Sequence, residues 1–175
     1  LTAVANNPLT AAQWNTSVRD NLLETAPAKA TTAGRIFVTT ATNAIAERAV
    51  GHASVLTQQT SASASFTDLT TTGPATTVTT STTVICVLST LQRVDAAGSF
   101  AYMGVEVSGA STVAATDSES VVYESGAAAD NSQMSFVFPL TGLTAGSNTF
   151  TAKYKVAGGG TGTWQNRRIV ILPVG

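Results

Sequence analysis

Apolar residues recur at helical spacing only near the N-terminus; after residue 34 almost every patterned stretch alternates with period two. Thr10-Ala11-Ala12-Gln13 has the form of a capping box, in which the hydroxyl takes a backbone N–H and the amide reaches back. Leu9 and Trp14 stand where a hydrophobic staple would put them. Trp14, Val18 and Leu22 fall on one stripe, with Ala11 and Asn15 beside them, and Pro27 closes the pattern. The spacing predicts one short helix over 11–24, after an aperiodic and extended run over 1–8. Such a helix is marginal alone in water, so its stripe is expected to lie on something else.

Two short strands follow, over 34–40 and 44–50, with a turn at 41–43. An isolated two-stranded hairpin is scarcely stable. Helix and hairpin therefore read as an arm, residues 1–51, ordered by docking through Leu9, Trp14, Val18 and Leu22.

Beyond Gly51-His52, strand-like runs recur at short intervals: 55–60, 64–69, 75–80, 83–93, 100–107, 120–124 and 132–140, then a closing pair. Turn residues separate them, as in Thr72-Gly73-Pro74 and Asp95-Ala96-Ala97-Gly98. About eight strands and no long helix predict a mostly β chain. Its main domain, 52–175, is expected to be a jelly-roll-like antiparallel β-sandwich.

The closing pair is the most informative stretch. Phe150, Ala152, Tyr154 and Val156 alternate with Thr151, Lys153 and Lys155, giving one buried face. Gly158-Gly159-Gly160-Thr161-Gly162 reads as a flexible hairpin tip. The last strand carries Trp164, Asn166-Arg167-Arg168 and Ile169-Val170-Ile171-Leu172 before Pro173 ends it. Strict alternation groups Arg167 with Ile169 and Ile171, and Arg168 with Trp164 and Val170. A run apolar on both faces points to a strand covered by its own sandwich on one side and by a sister chain on the other. Trp164, Arg167, Arg168, Ile169 and Ile171 are the expected interface residues, with the arginines in ion pairs.

Composition narrows the function. Charged residues are 11% and the net charge is −1, which gives neither a basic stripe for nucleic acid nor an acidic tail. No apolar run is long enough to span a membrane. Residue 1 is Leu, so an initiator and a few residues are expected upstream, and no secretory-type leader opens the chain. The lone Cys86, inside Val84-Ile85-Cys86-Val87-Leu88, is expected to be a buried small hydrophobe.

Candidate chemistry is sparse. His52 is the single histidine, so neither a histidine metal cluster nor a His-assisted triad can form within one chain, and a surface position is expected. Asp117, Glu119, Glu124 and Asp130 match no calcium loop. The glycine run lacks the strand–loop–helix context and the lysine of a phosphate loop. The expectation is a structural or binding protein, not an enzyme, with no cofactor and no metal.

Three stretches resemble a family. Leu9-Thr10-Ala11-Ala12-Gln13-Trp14-Asn15, followed by Val18-Arg19-Asp20-Asn21-Leu22-Leu23, is similar to an opening common in virion proteins of tailed phages, especially those of actinobacteria. Ala33-Gly34-Arg35-Ile36-Phe37-Val38 with Ala44-Ile45-Ala46-Glu47-Arg48-Ala49-Val50-Gly51 resembles a hairpin of phage fibre and minor structural proteins. The closing stretch from Phe150 to Pro173 is similar to the end of jelly-roll domains in such proteins. The resemblance implies a virion structural protein on the phage particle surface, assembled in the host cytoplasm. Its implied partners are other virion proteins, a major capsid protein or tail proteins, and the resemblance further implies a homotrimer. Modest size and the lack of a fibre shaft favour capsid decoration. The alternatives are a minor tail or tail-fibre protein, or a module binding a host-surface glycan or receptor.

Overall fold

The structure, a computed structural model, describes residues 8, 10–23, 25–126 and 130–174. Two compact units divide the chain, Leu1–Glu47 and Arg48–Gly175.

In the first unit, helix α1 (Ala11–Leu23) begins at the capping box. Gln13 N–H donates to Thr10 Oγ1 at 3.1 Å and Thr10 N–H donates to Gln13 Oε1 at 3.0 Å. Leu9 lies outside the described residues, as does Glu24 at the expected helix end. Pro27 does not simply close the helix. The Thr25 hydroxyl donates to Leu22 O at 2.7 Å, and one further turn, α2 (Ala26–Lys29), carries Pro27 in its first turn, where a missing N–H costs nothing. Strands β1 (Ile36–Ala41) and β2 (Ala44–Arg48) form the expected hairpin, turning at Asn43 with φ 57°.

The second unit begins a few residues before the expected boundary. Its strands are β3 (Gly51–Val55), β4 (Gln59–Ser61), β5 (Ala75–Thr80), β6 (Thr83–Val94), β7 (Phe100–Gly109), β8 (Ser120–Glu124), β9 (Ser132–Thr141), β10 (Gly146–Ala157) and β11 (Gly162–Pro173). They form two antiparallel sheets of order β3-β11-β6-β9, with β4 also on β11, and β5-β10-β7-β8. Chain order swings repeatedly between the sheets, which is jelly-roll topology. The core fills the space between them: Val84, Cys86, Leu88, Ile169 and Ile171 from one sheet meet Met103, Val105, Phe150, Ala152 and Tyr154 from the other.

Three expectations change here. Strands β10 and β11 belong to different sheets, so the glycine run is a crossing between layers, not a hairpin tip. Gly158, Gly159 and Gly160 all have positive φ, which lets the chain turn out of one sheet and into the other. The expected 64–69 strand is irregular apart from one Thr67–Tyr154 bridge. Serine side chains compete for its backbone: Ser65 N–H donates to Ser63 Oγ, and Ser63 Oγ–H donates to Ser65 O. The expected 55–60 strand is split into β3 and β4: residues 56–58 fall outside both, opposite a bulge in β11, where the Asn166 N–H donates to Leu56 O at 3.4 Å.

Candidate functional site

That bulge decides what β11 presents. Pairing with β6 slips between Gln165 and Arg168, and Asn166 takes φ 53° there. One extra residue reverses the side-chain parity across it. Trp164 therefore shares the core face with Arg167, Ile169 and Ile171, and not a face with Arg168 as strict alternation required. All four are fully enclosed by their own sandwich, at 0% exposure. They are not available to a sister chain, and of the five expected interface residues only Arg168 reaches the surface.

Arg167 is held by neutral oxygens and makes no ion pair among the described residues. Its guanidinium donates to Gly73 O and Thr57 O, each at 3.3 Å, and to Gln59 Oε1 at 2.9 Å. Its Cζ lies 5.3 Å from the Tyr154 ring, whose hydroxyl donates to the same Gly73 carbonyl at 2.8 Å. Burial pushes the Tyr154 phenol up, with the charge of Arg167 acting in the opposite direction. Arg167 thus ties Thr57 of the 56–58 connection, Gln59 of β4 and Gly73 of the 73–74 turn to the core.

The outer faces of the two sheets differ. Over β5-β10-β7-β8, Lys153 pairs with Asp68 at 2.8 Å and Glu106 at 3.3 Å, and Lys155 pairs with Asp117. Burial works against the Lys153 charge, but the two carboxylates outweigh it and hold its pKa above the ordinary value. The Lys155 ammonium also sits 4.5 Å from the Tyr102 ring centre and 5.1 Å from that of Phe66. Asp117, from the acidic stretch, is therefore in an ion pair, and no group of three His, Cys, Asp or Glu among the described residues could hold a metal.

Over β3-β11-β6-β9 the surface is apolar at one end and polar at the other. Val170, Val87 and Val137 are cross-strand neighbours, as are Leu172, Ile85 and Pro139. Val137 is 59% exposed, and His52 stands at the edge opposite Val170. The apolar run 169–172 predicts an outward apolar face on β11, but through Ile169 and Ile171, which point inward. It is Val170 and Leu172 that face out, and the unbroken run 84–88 carried the rest of the signal. Past Arg168 the polar end holds a recess of about 80 Å³, lined by Gln58, Leu91, Gln92, Arg93, Asn131, Thr163 and Gln165.

On α1 the expected stripe is in place. Trp14 is 58% exposed, Val18 37% and Leu22 60%, and together with Asn15, Arg19 and Ala28 they line a groove of about 350 Å³. Among the described residues, no helix is long and apolar enough to cross a membrane.

No family model matches the sequence, and no curated protein matches it. Among solved structures, the chain is similar to chains of infectious bursal disease virus. For the Gt strain the TM-score is 0.48 at 12% identity, over 79% of this chain and 37% of that one. For the Gx strain it is 0.49 at 13%, over 79% and 36%. The Eiger TNF of S. frugiperda gives 0.45 at 11%, over 73% of this chain and 93% of that one. The chain thus spans little more than a third of the viral chains it matches. Its class, a jelly-roll β-sandwich that follows a small helix-and-hairpin unit in the chain, rests on the strand order itself.

Proposed function

We propose that this chain is a structural, non-enzymatic component of a tailed-phage particle: a trimeric capsid-decoration protein fixed by its N-terminal arm. The observation that carries the reading is the capped helix whose Trp14, Val18 and Leu22 stand exposed on a unit of their own. Burying each on a capsid protein would contribute roughly 1.5–3 kcal/mol before ordering costs. Three arms acting together would gain further by multivalency. The resemblance of this same stretch to phage virion openings supplies the particle. Trimer contacts are assigned to the apolar end of the outer face, through Ile85, Val87, Val137 and Val170, with Arg168 at its border.

Adding purified protein to particles that lack it tests the arm. The full chain should co-sediment in hundreds of copies, Trp14→Ala should co-sediment less, and residues 48–175 alone should be left behind. Undiminished binding by the truncated sandwich would move attachment to the β-domain, and a handful of copies would favour a tail position. Light scattering tests the trimer separately, with Val137→Glu expected to be folded but monomeric. A wild-type monomer at micromolar concentration removes the trimer and leaves the arm untouched.

A further inference from the structure

The recess at the polar end of the β3-β11-β6-β9 sheet has the makings of a ligand site. Thr163 and Gln165 come from β11 and pair across to Arg93 and Leu91 of β6, so four side chains form one outward floor. Gln58 and Asn131 close it from the two sides. The same β11 bulge forms its border, where Asn166 holds a backbone conformation that non-glycine residues rarely adopt. Strained residues of this kind collect beside binding sites.

The donors here are unspent. No hydrogen bond or ion pair joins the side chains of Gln58, Arg93, Asn131, Thr163 or Gln165 to another described residue, although Arg93, Thr163 and Gln165 are partly or largely buried. Their chemistry is selective. Three amides and a hydroxyl each offer both a donor and an acceptor, which suits sugar hydroxyls. Arg93 offers a planar fork that suits a carboxylate. Among the described residues no carboxylate lines the recess, so a cation would find no counter-charge, while Leu91 supplies one apolar surface for a ring face.

We infer that this recess binds the end of an acidic saccharide, with the carboxylate on Arg93 and the hydroxyls on Gln58, Asn131 and Gln165. A volume of about 80 Å³ takes part of one sugar unit, so single-site affinity should be weak, with a millimolar Kd. The site stands whether or not the protein decorates a capsid.

The probe is sodium glucuronate, titrated into the isotope-labelled full chain while the side-chain N–H signals of Arg93, Gln58, Asn131 and Gln165 are followed. Saturable shifts confined to these groups are expected, with methyl glucoside and acetate each at least ten-fold weaker. Arg93→Gln should lower affinity at least ten-fold with the backbone spectrum preserved, and Gln58→Ala, on the 56–58 connection, should weaken binding without touching the strands. No saturable shift overturns the site. An equal response to acetate and glucuronate overturns the saccharide and leaves an anion contact only, and unchanged binding by Arg93→Gln overturns the placement of the carboxylate.

Discussion

Tyr154 of one sheet and Arg167 of the other share one acceptor, the Gly73 carbonyl, with the guanidinium 5.3 Å from the phenol ring. Arg167→Met keeps roughly the same volume but strands the Thr57 carbonyl and leaves Gln59 Oε1 with the Thr71 N–H alone, so it should destabilise the sandwich by about 1.5–3 kcal/mol. Tyr154→Phe should cost about 1 kcal/mol, because Gly73 keeps its second donor. Residues that share a partner do not act independently, so the double variant should depart from additivity by at least ~0.5 kcal/mol in urea unfolding. Strict additivity would mean that the shared acceptor contributes nothing.

Gln92 presents the opposite situation. It is 1% exposed, stands opposite Trp164 across β6 and β11, and neither of its amide atoms has a partner among the described residues. A buried polar group without a hydrogen bond costs about 1–3 kcal/mol, so Gln92→Met should raise stability by an amount of that order. A loss of stability in chemical denaturation would show that the amide is satisfied in solution.

Glu47 closes the first unit on itself. The Thr31 hydroxyl donates to it at 2.6 Å, and the Thr31 and Thr32 amides donate at 3.0 and 3.2 Å. These hydrogen bonds, that of the Thr31 side chain first, hold its carboxyl below the ordinary glutamate value. The contribution is therefore present at neutral pH and lost as pH falls through the folded-state value. Amide exchange at Thr31 and Thr32, corrected for intrinsic rates, should lose protection on acidification, and Glu47→Gln should flatten that dependence. An unchanged profile in the variant would assign the loss to another group.

Burial, aided by the charge of Glu119, pushes the Cys86 thiol from 9.0 up to about 12. Its thiolate is scarce at pH 8 and its side chain is enclosed, so the folded protein should resist a thiol reagent that labels the unfolded chain rapidly. Because the unfolded thiol ionises first, stability should decline as pH rises from about 9 towards 12, and Cys86→Ala should remove that part of the decline. Fast labelling under native conditions would show that β6 opens readily.

Sequence alone determined the elements whose cause is local. The Thr10–Gln13 box starts α1 because both partners lie within one turn, and the alternation in β6 and β10 decides which of their side chains face inward. It also determined that Cys86 is a core residue. Only the tertiary structure decided which sheet each strand joins, because alternation specifies a face and is silent about the neighbour. The glycine run therefore resembled a hairpin although β10 and β11 lie in opposite layers. The single extra residue at Asn166 carries no pattern of its own, yet it reverses parity, sends Trp164 into the core and leaves Arg168 and Val170 on the outer face. Gln58, Arg93, Asn131, Thr163 and Gln165 are scattered along the chain, and nothing local marks them as neighbours. Sheet pairing brings them to one recess, so a site of this kind is set by the fold and not by any motif.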